Sequence, residues 1–141
     1  MAKKIIIDTG FWIGFFEERD PHHKKALLIS EQLHLYEWVI PWPSLYETLN
    51  TRFVRRKNWL ISFEKMINKE NTVQLSDDKY KETIMRSLFI QTKSHEKFSL
   101  VDLVIREMLL DVNVNINAIT TFNSRDFQDI CCKRNIEILG D

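Results

Sequence analysis

The sequence predicts an α/β domain, a central parallel sheet of four to five strands flanked by helices. Short β-branched runs separated by helical stretches recur along the whole chain, the pattern of a parallel sheet whose strands are joined by right-handed crossovers. Glycine and proline number only three each, too few for an all-β domain rich in turns. The 141 residues, 44% hydrophobic and 28% charged, suit one domain spanning 1–141 around one core and exclude disorder as the main state.

The elements follow in order. Lys-Lys-Ile-Ile-Ile-Asp, residues 3 to 8, is too short for a helix and suits a strand buried on both faces. A short aromatic helix is expected around Trp12 to Phe16. Asp20-Pro21 then opens a helix from His22 to about Gln32. Leu35 to Ile40 reads as the second strand. Pro41, Pro43 and Ser44 punctuate the chain before a helical pattern at Leu45, Leu49 and Phe53, which runs into the basic stretch Arg52 to Lys57. A further helix is expected from Trp59 to Ile67, and Thr72 to Leu75 is a short strand. Ser76, with Asp77 and Asp78, starts a helix through roughly Ile90. Residues 91 to 98 form a polar loop, and Ser99 caps a helix from Leu100 to Asp111. Ile116 to Thr121 and Ile136 to Leu139 complete the strands. No internal repeat, linker or low-complexity segment interrupts this order.

Several function classes are excluded by composition. No apolar run approaches the roughly 18 to 20 residues of a membrane span, and Met-Ala-Lys-Lys lacks the apolar core of a signal peptide, so a cytoplasmic protein without membrane contact is expected. Cys131 and Cys132 are adjacent, a spacing that fits neither a disulfide framework nor paired zinc ligands. Twenty basic and twenty acidic side chains cancel, so contact with a polyanion has to be local. No glycine-rich phosphate loop is present, which disfavours a doubly wound phosphate-handling domain.

In open parallel sheets the ligand site lies beyond the carboxyl ends of the strands. Asp8 ends the isoleucine strand, and Asn123 and Asp126 follow the strand that ends at Thr121. Asp102 sits in the first turn of a helix that is apolar nearly all round, where a carboxylate is costly unless it faces a partner or a cation. Ser99-x-x-Asp102 and Ser44-x-x-Glu47 also read as capping boxes, and Asp102 has an i, i+4 partner in Arg106. The combination decides, because all these acids fall where strands hand over to helices. Converging carboxylates repel unless cations neutralise them, and hard divalent ions such as Mg²⁺ take oxygen ligands.

Ile-Ile-Ile-Asp8-Thr9, Glu47 in the helix after the second strand, Ser99-Leu-Val-Asp102, and Thr-Thr-Phe-Asn123-Ser-Arg-Asp126-Phe127 together resemble the PIN-domain nucleases, especially the small VapC-type toxin ribonucleases. The resemblance covers essentially the whole chain. It implies a PIN-like three-layer fold and a Mg²⁺-dependent endoribonuclease, with Mn²⁺ as an alternative ion, that hydrolyses RNA phosphodiester bonds as the toxin of a toxin–antitoxin pair. Asp8 and Asp102 are the first choices for metal ligation. Glu47 ligates or orients water, and Asp126 completes the acidic set. Thr9 supports the Asp8 turn and Ser99 the Asp102 turn, and both join Asn123 as candidate substrate contacts. One departure stands out, since relatives often carry an aspartate where this chain has Asn123, and a neutral amide adds no charge to a metal site. That departure sustains the alternative of a weak or inactive PIN-like module that binds RNA or protein.

Among basic residues, Arg52, Arg55, Arg56 and Lys57 form the densest cluster, with Trp59 beside them to stack on a base of single-stranded RNA. The same charges suit a solvated helix end that complements the helix dipole. His22, His23, His34 and His95 are read as surface residues, not general bases. By resemblance alone, grooves near the early helices receive an antitoxin protein or a second copy of the chain in a homodimer.

Overall fold

The computed structural model describes residues 2–91 and 98–141. Five parallel strands, β1 (Lys3–Ile7), β2 (Tyr36–Pro41), β3 (Val73–Leu75), β4 (Ala118–Thr121) and β5 (Glu137–Gly140), form one sheet in the order β3-β2-β1-β4-β5. β1 is the central strand, with Ile5 opposite Trp38 of β2 on one side and Ala118 of β4 on the other. Covered on both faces, it reads as an unbroken apolar run, and Ile5, Ile6 and Ile7 are all fully buried. Alternation along the strand sends Ile5 and Ile7 into one core and Ile6 into the other.

Helices α1 (Thr9–Phe16), α2 (His23–Ser30), α3 (Trp42–Thr48), α4 (Thr51–Val54) and α5 (Lys57–Ile67) contribute Phe11, Trp12, Ala26, Leu45, Phe53 and Phe63 to the first core. Its centre is aromatic. The Trp12 ring meets Phe63 edge-on at 4.8 Å and Trp38 at 6.1 Å, arrangements that add to the burial of apolar area. On the opposite face, α6 (Lys81–Ile90), α7 (Leu100–Leu110) and α8 (Gln128–Arg134) supply Ile84, Val104, Ile105, Met108 and Ile130. The three layers are those expected from sequence. Among the described residues, no helix is long and apolar enough to cross a membrane.

The structure differs from the expected elements in four places. The helix anticipated through Leu45, Leu49 and Phe53 is broken at Leu49, and Asn50 starts α4 afresh by accepting a hydrogen bond from Phe53 N–H at 3.1 Å. Asparagine competes with the helix for local backbone donors, so the apolar spacing continues while the axis does not. α6 begins at Lys81 and not just after Ser76, because Ser76 Oγ accepts from Asp78 N–H to form a local turn first. α8, unanticipated, fills the connection between β4 and β5, and ends at Asn135 in the left-handed conformation with φ 56°. Arg106, whose i, i+4 spacing offered a pair with Asp102 as one alternative, turns to Asp129 instead. Of the loop expected over 91–98, residues 92–97 lie outside the described residues, and so does His95.

Candidate active site

In the strand order β3-β2-β1-β4-β5 the chain runs outward from β1 in both directions, which puts the switch point between the carboxyl ends of β1 and β4. Asp8 stands there. Its backbone N–H continues the sheet by donating to Thr120 O at 3.1 Å, and its φ of −84° and ψ of 160° leave the strand to cap α1. Oδ1 accepts from Thr9 N–H at 2.8 Å, while Oδ2 accepts from the buried Thr121 hydroxyl at 3.0 Å. The carboxyl is thus held by a helix start and by the neighbouring strand.

Thr9 also reaches across to α3. Its hydroxyl lies 3.0 Å from Glu47 Oε1 and 3.2 Å from the Ser44 carbonyl, so one proton is shared between two acceptors and Glu47 is tethered toward Asp8. From the other face of the sheet, α7 delivers Asp102. Ser99 Oγ accepts from Asp102 N–H at 3.1 Å, and the Ser99 hydroxyl and N–H in turn hold the Asp102 carboxylate. The capping box and the site residue are therefore the same side chain. After β4, Asn123 is exposed, and its N–H donates to Thr121 Oγ1 at 3.0 Å. A turn of 3₁₀ helix, Ser124–Asp126, then carries Asp126 half-buried. Gly140 at the end of β5 lies against Thr121 so closely that a Cβ would collide with the Thr121 carbonyl oxygen.

The electrostatics follow from burial and like charge. Asp8 is 5% exposed, and desolvation pushes its carboxyl up to about 6 against the lowering effect of the Thr9 and Thr121 hydrogen bonds. The negative charges of Asp102 and Glu47 push in the same direction. Asp102 is also raised, first by desolvation and then by Asp126 and Glu47, with Ser99 opposing. Four acids from four separate parts of the chain thus act on one another. Their oxygens suit a hard cation, but among the described residues no three Asp, Glu, His or Cys groups are close enough to enclose an ion on their own. Mg²⁺ commonly binds through one or two carboxylates, keeping waters and substrate phosphate for the rest of its shell, so this donor set fits it.

The remaining candidates are dispersed. Arg52 and Arg56 lie at the opposite end of α1, where their Nη2 atoms are 3.0 and 3.7 Å from Glu17 Oε2. Arg56 also covers the Trp59 ring at 4.5 Å, and Trp59 packs against Phe16 and Phe53. Arg55 is exposed. Arg52, Arg56 and Trp59, but not Arg55, border a concavity of about 680 Å³, larger than the groove of about 440 Å³ between Glu47 and the start of α7. Size alone does not mark the chemistry here, since of the four acids only Glu47 lines either hollow. His22 stacks on Phe122 at 4.4 Å, and His23 Nδ1 lies 2.8 Å from Gly14 O. Cys131 is buried and Cys132 exposed, both as free thiols.

The sequence reading missed Thr121 and Arg106. Thr121 was legible only as part of a Thr-Thr strand end, whereas Arg106 could be placed only by knowing that α8 exists.

No protein-family model matches the chain, and no curated protein matches it by sequence. Its structure is similar to that of VapC20 from Mycobacterium tuberculosis, described as a sarcin-ricin loop cleaving toxin, with a TM-score of 0.64 at 15% identity over 89% of this chain and 94% of that one. It is similar too to FitAcB from Neisseria gonorrhoeae, with a TM-score of 0.60 at 13% identity over 96% of both chains. The chain therefore has the PIN-like fold of these proteins, as the sequence motifs implied.

Proposed function

We propose that the protein is a metal-dependent endoribonuclease, the toxin component of a toxin–antitoxin pair, that hydrolyses RNA phosphodiester bonds. The observation that carries this reading is the meeting of Asp8, Glu47, Asp102 and Asp126 at the switch point, with Asp8 buried and its charge opposed by its neighbours. A fold maintained against such repulsion favours a cation-dependent role over a purely structural one. The similarity to a toxin that cleaves the sarcin-ricin loop supports RNA as the substrate class.

Asp8 and Asp102 are the residues that would hold Mg²⁺ or Mn²⁺, with Asp126 and Glu47 beside them. Bound there, the ion supplies a water of lowered pKa and neutralises charge on the phosphoryl oxygens. The chain's own part is positioning. Thr9 and Thr121 fix both oxygens of Asp8, so the carboxylate spends no reorganisation on binding. Glu47, exposed and tethered by Thr9, would accept a proton from an attacking water. Asn123 offers a neutral amide oxygen at the rim. No side chain is required as a nucleophile.

The second reading, a weak or inactive binding module, is favoured by Asn123 standing where an acid would add charge. Digestion of labelled RNA with Mg²⁺, with Mn²⁺ and with chelator, wild type beside Asp8→Asn, separates the two. Cleavage confined to the metal arms and lost in Asp8→Asn supports the nuclease, whereas RNA retention without cleavage in every arm supports the module.

A further inference from the structure

We infer that Arg106 is the positioning residue of the acid site, a clamp that sets the Asp126 turn against α7 and thereby the spacing between Asp126 and Asp102. The inference rests on the reading of these acids as one site. Arg106 lies four residues after Asp102, one turn along the same face of α7. Its Nη1 donates to the backbone carbonyl of Asp126 at 2.7 Å, and Nη1 and Nη2 together grip Asp129 Oδ1 and Oδ2 at 2.8 Å each. The guanidinium plane also covers the Phe98 ring at 4.3 Å. Phe98 is in turn fixed by both ends of the Gln91 amide, which donates to Phe98 O at 2.6 Å and accepts from Phe98 N–H at 2.9 Å. One side chain therefore joins the entry to α7, the 3₁₀ turn after β4 and the first turn of α8.

The chemistry suits positioning and not neutralisation. Asp129 is ion-paired with Arg106, and its carboxyl is held below the usual range by that bond, so the positive charge is taken up by a residue outside the acid set. What reaches Asp126 is a hydrogen bond to its main chain. This leaves the Asp126 carboxylate to face Asp102, whose carboxyl it raises. A planar fork can hold the Asp126 carbonyl and both Asp129 oxygens at once, whereas a lysine ammonium of equal charge cannot reproduce that geometry.

The test uses Arg106→Gln, Arg106→Lys and Asp129→Asn. In metal-free protein, amide hydrogen exchange at Asp126 and Phe127, whose N–H groups close the 3₁₀ turn onto Asn123 O and Ser124 O, should accelerate at least about tenfold in all three variants, with β1 and β4 unchanged. Mn²⁺ affinity by calorimetry should fall roughly three- to tenfold in parallel, and Lys should not rescue it, because geometry and not charge is lost. Exchange that is unchanged at the turn overturns the inference. So does acceleration spread evenly over the sheet, which would make Arg106 a general stabiliser. A wild type that binds no Mn²⁺, either alone or with a non-cleavable RNA analogue present, refutes the nuclease reading, and with it the role of the clamp in a metal site. A wild type that binds Mn²⁺ as tightly as the three variants refutes the clamp alone.

Discussion

The two ends of α1 gather charge in opposite ways. At its start, Asp8 is desolvated and the charges that act on it, from Asp102 and Glu47, are both negative. At its far end, about 13 Å along the axis, Glu17 is flanked by Arg52 and Arg56. The Arg19 N–H, with the two guanidinium groups after it, draws the Glu17 carboxyl below its ordinary value. Exposed opposite charges of this kind add little to stability and are common on any surface. A buried carboxyl facing like charges, as Asp8 does, costs stability, and such a group marks a candidate functional site. The contrast explains why the roomier, more basic concavity is the less informative of the two.

The sharpest test of this contrast is activity. Asp8→Asn and Asp102→Asn are each expected to lower metal-dependent RNA cleavage at least about 100-fold while leaving circular dichroism unchanged, because an anionic ligand is lost with little change in volume. Full activity in both would dissolve the acid site as a functional unit. The next effect is on stability and has a definite sign. Folding raises the Asp8 carboxyl from 3.8 to about 6, so the folded state binds the proton more tightly. The associated stability is present below about pH 4 and is lost as pH rises through the folded value. In chelator at pH 7.5, Asp8→Asn should therefore be more stable than wild type by on the order of 2 kcal/mol, with the gap closing toward pH 4. Urea melts across that range check it, and a gap independent of pH would assign the effect to packing.

Smaller changes are expected at the rim. Asp126→Ala should weaken Mn²⁺ binding several-fold and Asn123→Asp should tighten it, with Asn123→Ala close to wild type, since only charged ligands alter the attraction strongly. Equal affinity for wild type and Asp126→Ala would confine the site to Asp8, Glu47 and Asp102. The smallest effect belongs to the far end of α1. Arg52→Ala should change stability by less than about 1 kcal/mol and cleavage by no more than about twofold, since it removes an exposed ion pair. A large rise in KM for RNA would instead make this basic end a substrate contact.

Much of this site was legible because strand ends announce it. An isoleucine run followed at once by Asp8 signals a buried strand and its exit, and Ser99-x-x-Asp102 signals a helix start. Both signals are local. The break at Asn50 was hidden because the apolar spacing of Leu45, Leu49 and Phe53 persists across it. α8 was hidden because it is only seven residues long. Arg106 shows the deeper reason: its i, i+4 relation to Asp102 is local and suggested a pair, but the bidentate partner lies 23 residues away, where tertiary packing overrides proximity in sequence.

The hydrogen bond from Thr121 to Asp8 spans 113 residues, and β1 has β4 as one of its two neighbours. Contacts of that separation form only after a long loop has closed. During synthesis, Asp8 emerges well before Asp102, Thr121 and Asp126, which reach it only once the chain folds back on itself. The acid set is therefore assembled only when the segment carrying α7 and β4 docks beside β1.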